Sequence, residues 1–173
     1  MARLVLKPTR WGTATAYDVI QEGAVRYNVD TCCSRDHGIV LTDRLASDGV
    51  VLSAEHGSKL SNIEFTGPAG ELVTTAKASS QLFADIDFHY GGRQYRWVPA
   101  MRQMSSKFKF TLVDASSGRK IASLKQISSW SRASELALYA GNYDAVWCCV
   151  VVLSATLAFK QWQDSMFLTL THG

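Results

Sequence analysis

The sequence lacks the motifs that mark the common enzyme classes. No G-x-S-x-G elbow, no G-x-x-x-x-G-K-[S/T] phosphate-binding loop and no G-x-G-x-x-G occurs in its 173 residues. These absences remove the usual sequence evidence for a serine hydrolase, a nucleoside triphosphatase or a dinucleotide-dependent enzyme. We therefore expect a protein that is not an enzyme and that needs no cofactor.

Cysteine is scarce and is not spaced for metal or redox chemistry. The four cysteines form two adjacent pairs, Cys32–Cys33 and Cys148–Cys149, and neither pair has C-x-x-C spacing. The first residues, MARLVLKPTRWG, contain an apolar run far shorter than the roughly 7–15 residues of a secretory signal. We expect no signal peptide, reduced thiols and a cytoplasmic protein. Peripheral attachment to membranes and a disulfide between the two pairs stay open.

One stretch, Ala145–Phe159, is apolar on every side of a helix. Only Ser154 and Thr156 interrupt it, and it carries no charge. At about 1.5 Å per residue it spans roughly 22 Å, short of the roughly 30 Å hydrocarbon core of a bilayer. Helices that are apolar all round lie in a protein core or span a membrane, and this length favours the core. We predict a central helix at about 144–163 with Asp144 as its N-cap.

The chain before this helix is patterned as short strands separated by turns. Val25–Cys33 alternates apolar and polar residues, and Gly91-Gly92 is typical of a tight hairpin. Nine or ten strands at even spacing indicate a sandwich or a barrel. The candidate strands are Val25–Cys33, Ile39–Leu45, Val50–His56, Leu60–Thr66, Glu71–Ala78, Leu82–Tyr90, Arg93–Val98, Lys107–Val113, Arg119–Ile127 and Glu135–Ala140.

The apolar helix decides between these two architectures. An open sandwich has no place to bury a helix on all sides, whereas a closed barrel of sufficient girth does. We predict an all-β fold with one central helix: a closed antiparallel β-barrel that encloses its own C-terminal helix, as a single domain over residues 1–173. The tail, Met166–Thr171, alternates weakly and is interpreted as a final strand or a loose end.

Scattered residues along most of the chain resemble a known family. They are Tyr17-Asp18-Val19, Gly23, Tyr27 and Val29, then Ile63-Glu64-Phe65-Thr66-Gly67, Tyr95-Arg96-Trp97 and Gly118-Arg119-Lys120-Ile121-Ala122, and an aspartate directly before the terminal helix. On these residues the chain is similar to the tubby C-terminal-like superfamily, and within it to fungal tubby-like domains of unknown function. LURP-one-related proteins and phospholipid scramblases are more distant members.

This resemblance implies a twelve-stranded barrel around a central apolar helix, and it implies no catalytic residues. Tubby itself binds phosphoinositide head groups through basic residues on the barrel wall. Those positions are not matched to residues of this chain, so a basic surface here has to be found from the charge pattern itself.

Positive charge is concentrated in one part of the sequence. Between Arg93 and Lys125 there are eight basic residues and one acid, Asp114, a net charge of +7. The rest of the chain carries −4, and the total of +3 is too small to imply nucleic acid. Consecutive antiparallel strands usually lie side by side, so this excess is expected on one face of the barrel.

The candidate ligand-binding residues come from this basic region. Lys107 and Lys109 share a face opposite Phe108 and Phe110 and are expected outside the barrel. Together with residues on the adjoining strands they predict an anion-attracting patch for lipid head groups. The full candidate set is Arg93, Arg96, Lys107, Lys109, Arg119 and Lys120.

Two further interpretations concern the same face. Tyr95 and Trp97 are candidates for an amphipathic edge of the kind found at membrane interfaces. Alternatively, the lysines only keep the barrel wall solvated and unaggregated. The ligand is expected to be an anionic membrane lipid or a protein partner, and the oligomeric state stays open.

A weaker candidate is a metal site on the strand ending at Tyr90. Asp85, Asp87 and His89 alternate with Ile86 and Phe88, so they share one face of a strand. Two carboxylates and an imidazole suit a divalent ion, but the same alternation is typical of any half-exposed strand.

Two rival classes of protein are considered. A lipocalin-like carrier would have a deep pocket lined by Phe108 and Phe110 in place of an internal helix. A scramblase-like protein would place the apolar stretch in a membrane.

Overall fold

The computed structural model is a closed barrel of twelve antiparallel strands followed by one helix. It describes residues 1–9, 16–33, 38–45, 49–56, 62–78, 85–100, 108–127, 133–139 and 144–171. Each strand pairs with its neighbours in sequence, and β1 (Ala2–Pro8) pairs with β12 (Ser134–Leu138) to close the barrel. The predicted all-β barrel with a single C-terminal helix is confirmed.

The other strands are named in chain order. They are β2 (Ala16–Gln21), β3 (Ala24–Cys33), β4 (Gly38–Asp43), β5 (Gly49–His56), β6 (Asn62–Thr66), β7 (Leu72–Ala78), β8 (Ile86–Tyr90), β9 (Arg93–Pro99), β10 (Lys109–Asp114) and β11 (Lys120–Gln126).

Strands β1 and β2 were not predicted, and they complete the barrel. In β1, Leu4 and Leu6 are buried, whereas Arg3 and Lys7 are exposed. This alternation is the usual strand signal. The segment was instead considered only as a possible signal peptide, because basic residues and Pro8 flank its short apolar run. Proline is tolerated at the end of a strand, where its missing N–H removes little pairing.

Helix α1 covers Ala145–Thr171. Asp144 caps it as predicted, because its Oδ1 accepts a hydrogen bond from the Trp147 N–H at 2.7 Å. The helix continues past the predicted end near residue 163, and the Met166–Thr171 segment is helical, so the interpretation as a strand or loose end was wrong. Extending an existing helix needs no new nucleation, so a weak alternation does not stop it.

The helix fills the barrel. Every side chain from Trp147 to Phe159 is buried except Cys148, which is half-buried. About eight strands already enclose an interior that their own side chains fill, so twelve strands leave room for a helix. The two polar side chains of this segment are satisfied inside it. Ser154 Oγ and Thr156 Oγ1 donate to backbone carbonyls at 3.0 and 2.9 Å.

Aromatic contacts hold both ends of the buried segment of the helix. Near its start, the Trp147 ring centroid lies 4.4 Å from that of Tyr95 and 5.3 Å from that of Tyr90. Near the other end of the buried segment, the Phe159 and Phe108 centroids are 4.8 Å apart. Such pairs add about 0.5–1.5 kcal/mol each beyond the area they bury.

The barrel has two different ends. The start of α1 and the hairpins β2–β3, β4–β5, β6–β7, β8–β9 and β10–β11 lie at one end, which we call the turn end. The strand ends joined by residues 9–15, 34–37, 57–61, 79–85, 100–108 and 127–133 lie at the other, the loop end. Any surface at the turn end is therefore supported by short hairpins.

Candidate functional site

The predicted basic face lies on β9, β10 and β11, which are consecutive neighbours in the barrel. On β10, Lys109 is exposed, and Phe108 and Phe110 on either side of it are buried, as the alternation predicts. Lys107 belongs to the predicted set but lies outside the described residues, as does Arg102. The described part of the face is therefore built on the other members of the set.

Three predicted residues lie on two neighbouring hairpins at the turn end. Hairpin β8–β9 turns at Gly91-Gly92, whose φ values of 56° and 74° match a type I′ turn, in which both central residues need positive φ. The Ala115 N–H in the β10–β11 turn donates to the Gln94 carbonyl at 2.9 Å, so the two hairpins lie side by side. The residues they present are all exposed, and we call them the turn-end basic cluster: Arg93, Arg119 and Lys120.

The carboxylate of Asp114, the one acid of the basic region, points into its own turn. Its Oδ1 accepts hydrogen bonds from the Ser116 hydroxyl at 2.6 Å and from the N–H groups of Ser116 and Ser117 at 2.9 and 3.1 Å. These bonds, that of the Ser116 hydroxyl first, hold the pKa of Asp114 below its ordinary value of 3.8. The carboxylate thus fixes the turn that presents the basic cluster instead of projecting among its cations.

Arg96 is engaged in an ion pair on the outer surface. Its Nε and Nη2 donate to the two carboxylate oxygens of Asp87 at 2.6 and 3.1 Å, across the β8–β9 ladder. The hydrogen bond to Asp87 raises the pKa of Arg96. Because this charge is already balanced by Asp87, Arg96 adds less to an anion-attracting surface than its exposure alone suggests.

A second pair of cations lies toward the loop end. Lys109 and Lys125 are directly opposite each other in the β10–β11 ladder, where like charges repel. Lys125 Nζ is 3.0 Å from Glu135 Oε1, whereas Lys109 has no ion-pair partner among the described residues. Lys109 lies about 13 Å along the strand from the β10 partner of Lys120, toward the loop end. The predicted basic face therefore extends from the turn end of the barrel toward the loop end.

The expected amphipathic edge does not exist. Trp97 is fully buried and Tyr95 is 5% exposed, because both side chains point into the barrel. Trp97 Nε1 donates to Ser154 Oγ at 2.9 Å, and Tyr95 stacks with Phe88. The interpretation was wrong because Arg96, the charged residue beside Trp97 in sequence, belongs to the opposite face of the strand.

At least one of the three candidate metal ligands already binds another side chain. Asp87 binds Arg96, and the His89 backbone carbonyl accepts a hydrogen bond from the Thr74 hydroxyl while its side chain is exposed. Asp85 lies just before β8 and is half-buried. Over the described residues, no group of three or more His, Cys, Asp or Glu side chains is placed to hold a metal ion.

The inner wall that a carrier would use is covered by the helix. The Phe108 ring centroid lies 4.8 Å from Phe159 and 4.7 Å from Trp162. Both phenylalanines named as possible pocket lining, Phe108 and Phe110, belong to the same core cluster as α1. The barrel interior at this position is thus filled by protein side chains.

The two helical cysteines are buried or half-buried free thiols. Burial raises the pKa of Cys149 to about 11, and burial together with Asp144 raises the pKa of Cys148. Raised values keep both groups protonated near neutral pH, so neither is poised as a nucleophile. Cys32 and Cys33 lie on β3 as predicted, but their side chains are outside the described part of the chain.

Sequence reasoning missed two features of the surface. Lys125 was counted in the charge excess but not placed in the candidate set, because its position opposite Lys109 depends on ladder register. Exposed apolar residues at the turn end, Leu45 and Leu72 among them, were also missed. Their sequence signal was a leucine beside a turn, which alone does not distinguish a core residue from an exposed one.

In a comparison with known proteins, no family model, curated protein or solved structure matches the chain. In the described residues, no helix has the length and apolar character needed to cross a membrane.

Proposed function

We propose that the protein is a non-enzymatic binding module that recognises anionic lipid head groups, phosphoinositides included, through its turn-end basic cluster. The observation that carries the proposal is the placement of three exposed cations on two adjoining hairpins. The acid nearest to them in sequence, Asp114, is held by its own turn. Arginine and lysine form strong charge-assisted hydrogen bonds with phosphate. Each cation near an anionic leaflet contributes on the order of 1 kcal/mol to binding.

Membership of the tubby-like superfamily is part of this proposal. Twelve strands around an apolar helix agree with the architecture that the resemblance implies. In tubby itself the head-group site is on the barrel wall, and here the exposed cations also lie outside the barrel. A cytoplasmic protein that attaches reversibly to the inner surface of a membrane is consistent with both observations.

A carrier of small hydrophobic ligands is less favoured. In lipocalin-like carriers the ligand occupies the barrel interior, whereas here Trp147–Phe159 occupies it. Scramblase-like insertion would require the same buried helix to leave the barrel and expose the core. Both alternatives therefore conflict with the burial of this helix inside the barrel.

The proposal is tested by sedimenting the protein with vesicles of phosphatidylcholine alone and of phosphatidylcholine mixed with phosphatidylinositol bisphosphate. We expect binding only to the second kind, and a loss of roughly tenfold or more in Arg93→Glu/Lys120→Glu, because about 1 kcal/mol is removed for each cation and repulsion is added.

Lys7→Glu/Lys77→Glu is the matched control. It changes the net charge equally at two exposed positions near the ends of β1 and β7, toward the loop end of the barrel. Equal binding to both kinds of vesicle, or an equal loss in the two variants, would show that net charge and not this cluster governs the interaction.

A further inference from the structure

Exposed apolar side chains collect at the turn end of the barrel. Among the side chains whose burial the structure describes, which leaves out most of α1 after Lys160, six large apolar ones are exposed, and four of them lie at this end. Leu45 follows β4, Leu72 begins β7 and Val146 lies in the first turn of α1, with 66, 61 and 42% of their surfaces exposed. Met1, directly before β1, is the fourth.

These residues surround the end of the barrel instead of forming one groove. In the ring of strands, β1, β4 and β7 are well separated, and the start of α1 lies inside the ring. Val146 is therefore central, with Leu45 and Leu72 on the rim. Exposed apolar side chains that are spread over a whole end of the barrel fit a broad, deformable apolar surface better than a small ligand or a single peptide.

The charges at the same end favour an anionic partner. The turn-end basic cluster lies on β9 and β11, and the next hairpin around the ring, β6–β7, leads into Leu72. Two acids of this end are held locally: Asp144 accepts from Trp147 and Tyr90, and Glu71 Oε2 accepts from the Ala69 N–H at 3.0 Å. The exposed Glu22 lies in the β2–β3 turn, across the barrel from β8–β9.

We propose that the turn end docks on an anionic bilayer surface, with Leu45, Leu72 and Val146 entering the interface while the turn-end basic cluster contacts phosphate. The inference rests on the proposed lipid-binding function and adds its orientation. Peripheral binding commonly combines buried apolar area with attraction to anionic lipids. In this orientation the barrel axis stands upright on the membrane. The loop end, with Lys109 and Lys125, then faces away from it.

The test replaces apolar residues without altering charge. Leu45→Ser/Leu72→Ser is compared with Val98→Ser/Ile127→Ser, which removes two exposed apolar side chains outside the turn end, 36 and 49% exposed. Binding is measured by sedimentation with vesicles of phosphatidylcholine mixed with phosphatidylserine, at low and high salt. We expect the leucine pair to weaken binding by on the order of tenfold or more, because each exposed leucine loses its burial in the interface. The control pair should bind like the unaltered protein.

The outcomes separate this inference from the proposed function. If Arg93→Glu/Lys120→Glu loses binding but the leucine pair does not, head groups are recognised without end-on docking, and only the present inference fails. If the unaltered protein does not bind anionic vesicles, both fail. If the leucine pair instead abolishes a dimer seen by light scattering and leaves vesicle binding unchanged, the apolar end contacts a second copy of the chain, which overturns the bilayer assignment. Equal losses in the two serine pairs would also contradict it.

Discussion

Adjacent residues on β9 show how differently the two faces of the barrel wall are built. Trp97 points inward, is fully buried and donates one hydrogen bond to Ser154 on the helix. Arg96 points outward and forms a two-contact ion pair with Asp87, in which the arginine side chain is 42% exposed. The outer contact involves full charges and the inner one does not, yet the inner contact should matter more to stability. Water competes for the outer pair and not for the inner one.

The difference indicates where the molecule tolerates change. The inner face is part of a continuous core formed by the strands and α1, so a new polar group there has no partner and no access to solvent. On the outer face, charges can be exchanged at small cost. A binding function is therefore free to evolve on the outside and at the barrel ends, while the helix is fixed by packing.

The largest effect is expected from a charge placed in the helix. Val151→Asp or Leu153→Asp should prevent folding, since both side chains are fully buried and a carboxylate without a partner there costs more than about 4 kcal/mol. Circular dichroism and thermal unfolding of the purified variants measure the effect.

Val146→Asp is the matched control for these variants, because Val146 lies in the same helix but is 42% exposed. We expect it to fold, since an acid in the first turn of a helix also suits the helix dipole. A soluble, cooperatively unfolding Val151→Asp protein would overturn the placement of the helix inside the barrel.

The inner face was largely predictable because burial alone determines its pattern. Alternation at every second position placed Phe108, Phe110, Ile86 and Phe88 on the face opposite the charged residues, and all four are buried. A helix with no polar side required a closed barrel, which is the fold observed. The N-terminal strands were not predicted, because β1 carries charges and a proline. Its role in closing the barrel depends on β12, more than a hundred residues away in sequence.

The outer face was only partly predictable, because partners across the ladders come from register. Asp87 was interpreted as a possible metal ligand and Arg96 as part of a basic patch, although the two residues bind each other. Glu135, which neutralises Lys125, lies on a strand outside the basic region altogether. Charge counts along the sequence located the basic region but could not show which of its cations lie at the turn end and which toward the loop end.

A smaller effect is expected from the hydrogen bond between the wall and the helix. Ser154→Ala leaves the buried Trp97 Nε1–H without its acceptor and should lower the free energy of unfolding by about 1–3 kcal/mol. Thr156→Val is the matched control: it removes a hydroxyl that donates only to a carbonyl of its own helix, so no buried donor is orphaned. Chemical denaturation of both variants measures the difference. Equal losses would mean that the Trp97–Ser154 contact adds nothing beyond local helix packing.

The smallest effect is expected from the outer ion pair between Arg96 and Asp87. Its size tests directly whether the inner contact contributes more to stability than the outer one. Arg96→Ala, Asp87→Ala and the double variant form a cycle whose coupling free energy should be about 0.2–1 kcal/mol, because the pair is partly exposed. The coupling should shrink as salt is added, whereas the effect of Ser154→Ala should not change, since buried contacts are screened far less. Urea denaturation at low and high salt provides both values. A salt-independent coupling larger than the effect of Ser154→Ala would show that the outer contact contributes more to stability than the inner one. The outer wall would then be a stabilising network as well as a binding surface.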